Sequence, residues 1–197
     1  MKKIIVTTSV KTTLELNDSA QKLADELNLE YVKRNKTTIK QLLETAKGVI
    51  VVYKNKLSYF ENDSEFFFHL DTTALKIKNS DNEPLVEIIG KEKQNVLDCT
   101  MGLAGDSILL SYYGHNVTSI EKNKIIHLIT SNGLKNYISP SEEINKAMRK
   151  IITYNYDCID YLKSTPDNSF DIVYFDPMFS HNIKESENLS GITLLAD

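Results

Sequence analysis

The residues best suited to chemistry lie in two short stretches, Asn95–Ser107 (NVLDCTMGLAGDS) and Phe170–Phe179 (FDIVYFDPMF). In the second, a proline directly after an apolar run ends a strand's ladder and leaves Asp176 presented at its tip. An aryl amine is a weak nucleophile because its lone pair is delocalised into the ring. The Asp176 carboxylate and the Pro177 carbonyl can accept both amine hydrogens, favour pyramidalisation, and aim the lone pair at an electrophile. Phe179 offers a flat face on which a base can stack. Taken alone, the same four residues also describe an ordinary Asp-Pro turn closing a strand.

The first stretch ends a strand at Asp98 and turns through Gly102 and Gly105, residues that permit positive φ and close approach of backbone to a nucleotide-like ligand. Tight turns use glycine routinely, so the reading needs further residues. Glu121 lies 19 positions past Gly102, the distance at which an acid accepts hydrogen bonds from both ribose hydroxyls. Lys122 beside it can cover an adenosine. Asp157 can accept from an adenine amino group, with Cys158 packed by the ring or buried in the core. Asp106 either binds the ligand or caps the following helix. Together these residues imply methyl transfer from S-adenosylmethionine to an exocyclic amine.

Each of these residues falls where a strand should end. Beyond residue 94 the pattern alternates: strands at Val96–Asp98, Val117–Glu121, Ile151–Asn155 and Asp171–Phe175, helices at Asp106–Tyr113, Ile125–Tyr137 and Ile159–Leu162. Such alternation predicts a parallel, doubly wound sheet, whose right-handed crossovers bring all four carboxyl ends to one edge. Ligands of open α/β sheets bind at that edge. Upstream, a strand at residues 3–9 precedes a helix near 17–28 capped by Asn17 or Asp18. A second helix, Thr38–Ala46, is closed by Gly48. Gly48–Tyr53 and Leu57–Glu61 form a hairpin, and Glu65–Leu70 a further strand. Residues 79–84 (NSDNEP) read as a linker, which divides the chain into a small N-terminal α+β domain, 1–84, and a catalytic domain, 85–197.

With 197 residues and 41% hydrophobic content the chain can bury a core. Its formal charge of −4 excludes a strongly basic nucleic-acid footprint over the whole chain. A local patch survives, Tyr31–Lys40 (YVKRNKTTIK), with four cations and no acid; a solvated face is the competing reading. The longest apolar run, Val49–Tyr53, is far short of the roughly 20 residues a membrane helix needs. Cys99 and Cys158 form no CxxC, and the four histidines no HxxxH, so neither a disulfide framework nor a metal site is expected. A reduced, cytoplasmic compartment is the expectation, with no membrane partner.

The segments DCTMGLAGD, IEKN and DPMF together resemble class I S-adenosylmethionine-dependent methyltransferases of the amino-methylating group, whose motif is (Asp/Asn)-Pro-Pro-(Tyr/Phe). They are most similar to the RsmJ type, small-subunit ribosomal RNA (guanine-N2) methyltransferases, over residues 95–180. The resemblance implies a Rossmann-like sheet, S-adenosylmethionine as cofactor, RNA as substrate, and cofactor contacts at Gly105, Asp106, Glu121, Lys122, Asp157, Cys158 and Asp176. Ala104-Gly105 stands where that family commonly has Gly-Arg, and Ser180 where it has proline. Residues 1–90 match poorly, so substrate choice is expected there. A complete sheet of this kind has seven strands, and 18 residues follow Phe179, so the chain is expected to be C-terminally incomplete. An NAD-type Rossmann oxidoreductase and a non-catalytic nucleotide-binding module are the alternatives.

Overall fold

The computed structural model describes residues 2–78 and 83–176. The chain divides into two compact units, Met1–Phe68 and His69–Asp197. The division therefore precedes the 79–84 segment, and a helix at Asp71–Lys78 belongs to the second unit.

The first unit is a five-stranded sheet in the order β2-β1-β3-β4-β5, comprising β1 Ile4–Thr8, β2 Glu30–Tyr31, β3 Gly48–Val52, β4 Leu57–Glu61 and β5 Ser64–Phe67. The first three strands are parallel and the last two antiparallel. Helix α1, Leu14–Leu27, crosses from β1 to β2, and α2, Ile39–Thr45, from β2 to β3. All five residues of β3 are buried, as expected of a central strand covered on both faces. On the α2 side Ile5, Val49 and Val51 pack with Leu42 and Ala46.

Two expectations are corrected here. Thr13, not Asn17 or Asp18, caps α1: its hydroxyl accepts from the Leu16 N–H. Asn17 lies inside the helix, where its side chain accepts from Thr12 and Tyr31 hydroxyls. Gly48 does not close α2, whose last cap is an extended Ala46; it begins β3 instead. A Cβ at Gly48 would lie 2.2 Å from the Tyr59 hydroxyl, so glycine serves close packing there.

The second unit opens with α3, Asp71–Lys78, and α4, Pro84–Ile89. Four strands follow, β6 Asn95–Asp98, β7 Asn116–Glu121, β8 Ile152–Asn155 and β9 Ile172–Tyr174, in the order β8-β7-β6-β9. All pairings are parallel, so every carboxyl end reaches the same edge. The crossovers are α5 Gly105–Tyr112, α6 Lys124–Asn136 with α7 Glu142–Lys150, and α8 Cys158–Ser164. Alternate strand residues serve opposite faces. Val96 and Val117 pack with Leu110 and Leu85, whereas Leu97 and Ile120 pack with Cys158, Tyr161 and Leu162. Helix α7 went unread in the sequence although Ile144, Ala147 and Met148 make a helical stripe behind a Ser141 cap. The expectation that the chain lacks the strands completing a seven-stranded sheet falls on residues 177–197, which lie outside the described residues.

Candidate functional site

The edge formed by the carboxyl ends of β6, β7, β8 and β9 is bonded across its whole width. From β6, the Cys99 N–H donates to the Tyr174 carbonyl at 2.9 Å, extending the β6–β9 ladder past its end. The loop then reaches Gly102, whose N–H donates to Glu121 Oε2 at 3.2 Å and whose carbonyl accepts from the Thr130 hydroxyl of α6 at 2.7 Å. The Met101 N–H is held by the Ile120 carbonyl at 3.0 Å. Glu121 also accepts from the Asn123 N–H at 2.8 Å, while Asn155 Nδ2 holds its carbonyl at 2.8 Å. Lys122 bridges to Asp157 at 3.0 Å. At the other end, the Asp176 N–H donates to the Thr100 hydroxyl at 2.8 Å. Asp157, Lys122, Glu121, Gly102, Thr100 and Asp176 thus lie along one string of contacts.

The glycines divide differently from expectation. Gly102 has φ +50, and a Cβ there would meet nothing nearer than the Thr100 carbonyl at 3.9 Å. Of the loop's two glycines, Gly102 is the one with open space beside a left-handed backbone. Gly105 begins α5, and the second left-handed residue of the loop is Ala104, φ 60. A Cβ at Gly105 would press within 3.0 Å of Thr73 Oγ1, so this glycine serves the packing of α3 on α5.

Asp98 is 2% exposed and lies beneath the loop. It accepts the Thr100 N–H at 2.9 Å and the Ser107 hydroxyl at 2.5 Å, and Ser107 in turn contacts the Ser119 hydroxyl at 2.7 Å. Burial pushes its carboxyl up to about 6 despite these bonds. Asp98 is thereby a brace for the loop. Asp106 neither caps α5 nor stands open: it accepts from Lys76 Nζ at 2.7 Å and the Tyr174 hydroxyl at 2.9 Å, tying α3, α5 and β9 together.

Glu121 is half-buried, and desolvation raises its carboxyl while the surrounding backbone N–H groups oppose the rise. Asp157 caps α8, accepting from the Ile159 and Asp160 N–H groups at 2.9 and 3.3 Å through one oxygen. Its other oxygen meets Lys122, whose hydrogen bond holds the carboxyl low. Cys158 packs on Leu97, Cys99 and Ile120, and burial raises the thiols of both cysteines. Asp176 is exposed. Pro177 and Phe179 lie outside the described residues. Thr100, Ser107, Ser119 and Thr130 went unread in the sequence, since hydroxyls in strands and loops carry no spacing signal. Thr100 alone could have been noticed, lying between Asp98 and Gly102.

A glycine with open space on its left-handed side, next to an acid at the tip of the adjoining strand, is a donor and acceptor set suited to an adenosine ribose. Fold and site are those expected of a class I, S-adenosylmethionine-dependent methyltransferase. Comparison with known proteins supports the assignment. Residues 22–195 match the family described as "Putative SAM-dependent methyltransferase", and the chain belongs to that family. The Bacillus subtilis protein YpiP is 36% identical over 202 residues, covering 98% of this chain and 79% of its own length. Ribosomal RNA small subunit methyltransferase J of Francisella tularensis is 29% identical over 177 residues, covering 88% of this chain and 68% of its own. In fold, the chain is similar to the SAM-dependent methyltransferase NGO1261 of Neisseria gonorrhoeae. The TM-score is 0.65 at 17% identity, over 89% of this chain and 70% of that one.

Proposed function

We propose that the chain methylates an exocyclic base amine of ribosomal RNA, with guanine N2 of the small-subunit RNA as its target. The observation that carries this reading is the Thr100–Asp176 hydrogen bond, 2.8 Å, which joins the amine-facing tip of β9 to the loop that leads to Gly102 and Glu121. The likeness to methyltransferase J supports the choice of RNA.

Bound S-adenosylmethionine supplies a methyl group activated on a sulfonium. In this reading Glu121 accepts the ribose hydroxyls, and its carboxylate retains lone pairs for them beside the Gly102 and Asn123 N–H groups. Gly102 lets the backbone lie against the cofactor, with Gly105 and Asp106 shaping the start of α5 behind it. The Asp157 oxygen that meets Lys122 keeps a lone pair and accepts from the adenine amine, with Lys122 and Cys158 alongside. Asp176 and the Pro177 carbonyl take the two amine hydrogens and hold the nucleophile in line; Phe179 stacks on the base. Because Asp176 is exposed, the departing proton passes to solvent after transfer.

The test is to incubate the protein with S-adenosylmethionine and unmethylated small-subunit RNA, then digest the RNA and identify the nucleosides by mass spectrometry. N2-methylguanosine should appear, and Asp176→Ala should abolish it while affinity for S-adenosylhomocysteine stays within about tenfold. Methyl in another nucleoside would reject guanine, and binding of NAD in place of S-adenosylhomocysteine would reject methyl transfer altogether.

A further inference from the structure

The basic segment Tyr31–Lys40 is not the uniform solvated face that its composition allows. Lys33, Lys36 and Lys40 are exposed, but Arg34 is 6% exposed. Its Nε and Nη1 are buried with no hydrogen-bond partner. Burial lowers the guanidinium's proton affinity, and the nearby Tyr53 phenol opposes the fall. Glu65, the acid that acts on Tyr53, is paired with Lys56 at 3.2 Å. An uncompensated buried charge is costly, because desolvation is repaid only by a well-placed counter-charge.

The position in the fold is also that of a ligand site. Arg34 follows β2 on the edge where the parallel strands β1, β2 and β3 end. The chain leaves β1 toward β2 through a helix and β3 toward β4 through a hairpin, so the two connections head to opposite sides along the sheet's carboxyl edge. Thr8, the last residue of β1, has a buried hydroxyl that is likewise without a partner. The loop itself is held in a costly shape. Thr37 N–H bonds the Arg34 carbonyl at 2.8 Å across Asn35 and Lys36, non-glycine residues with φ 40 and 66. Thr7 anchors the loop's start at the Val32 carbonyl, 2.6 Å, and Thr38 with Gln41 closes its end in a capping box.

We propose that Arg34 is the centre of an oxyanion site that takes a phosphate group, presented by the RNA strand. The guanidinium fork matches two phosphate oxygens, and the three solvated lysines of the same loop and helix start add the longer-range attraction that a polyanion experiences. The choice of RNA as carrier rests on the function proposed above; the oxyanion chemistry does not.

The experiment is fluorescence anisotropy of the full chain with a labelled single-stranded fragment of small-subunit RNA, between about 50 and 200 mM salt. Arg34→Gln should weaken binding about tenfold or more and reduce the slope of log K against log salt by about 0.7, with affinity for S-adenosylhomocysteine unchanged. Arg34→Lys should recover the slope but only part of the affinity. Equal affinity and slope in wild type and Arg34→Gln overturn the proposal. If the wild type binds no RNA, the functional reading fails separately, and thermal melting with inorganic phosphate decides: Arg34-dependent stabilisation supports the oxyanion site, and its absence overturns it. Arg34→Met without any anion should melt higher than wild type, since an unpaired charge is removed; a lower melting point marks a purely structural arginine and counts against the site.

Discussion

Asp98→Asn tests whether a buried, charged brace lies beneath the loop between β6 and α5. The Asp98 carboxyl titrates near 6 in the folded chain against 3.8 ordinarily. Each pKa unit corresponds to about 1.4 kcal/mol, so the ionised form disfavours folding by roughly 3 kcal/mol at neutral pH. Between about pH 4 and pH 6 the folded chain keeps a proton that the unfolded chain has released. Stability therefore falls as pH rises through that window, and about half of the penalty is already absent at pH 5. Asparagine preserves the shape: its carbonyl can accept from Thr100 N–H, and its amide can donate to Ser107, whose hydroxyl then turns to Ser119. Urea unfolding of both proteins at pH 5, 6, 7 and 8 isolates this one group. The stability of Asp98→Asn relative to wild type should increase by about 1 kcal/mol or more from pH 5 to pH 7. A difference that stays constant with pH would refute the reasoning, because it would mean that Asp98 does not titrate in that range.

Three other substitutions probe separate parts of the chain. Glu121→Gln should weaken S-adenosylhomocysteine binding by about 10- to 100-fold in calorimetry, the magnitude of a lost charged hydrogen bond; an unchanged Kd would count against the ribose assignment. Gly48→Ala drives a methyl into Tyr59, 2.2 Å from its hydroxyl, and should cost about 1–3 kcal/mol in chemical denaturation. Asp106→Asn removes the charge that pairs Lys76 and keeps an acceptor for Tyr174, so a loss of about 1–2 kcal/mol is expected, shrinking in high salt.

The parallel sheet of the second unit was legible because each strand is a short apolar run ending in a polar residue, with helical spacing between. The convergence of Asp98 and Glu121 on one edge was legible for the same reason, since both end parallel strands; the bond from the Gly102 N–H to Glu121 was not. What could not be read was which groups are already engaged. Asp106 and Asp98 each look like an open acid in a turn, yet one is claimed by Lys76 and Tyr174 and the other by Thr100 and Ser107. Partners 30 and 68 positions away leave no local pattern. The left-handed Ala104 escaped notice because propensity assigns that conformation to its glycine neighbour. Arg34 was visible as a cation, but its burial depends on groups distant in sequence, such as Tyr53.

Gly102 is gripped on both sides, its N–H by Glu121 and its carbonyl by Thr130. If this segment receives the adenosine, as proposed, it is set in shape when the chain folds, and little ordering remains for the moment of encounter. Capture of the cofactor should therefore proceed nearly as a rigid docking event, with association limited by diffusion and orientation more than by loop closure.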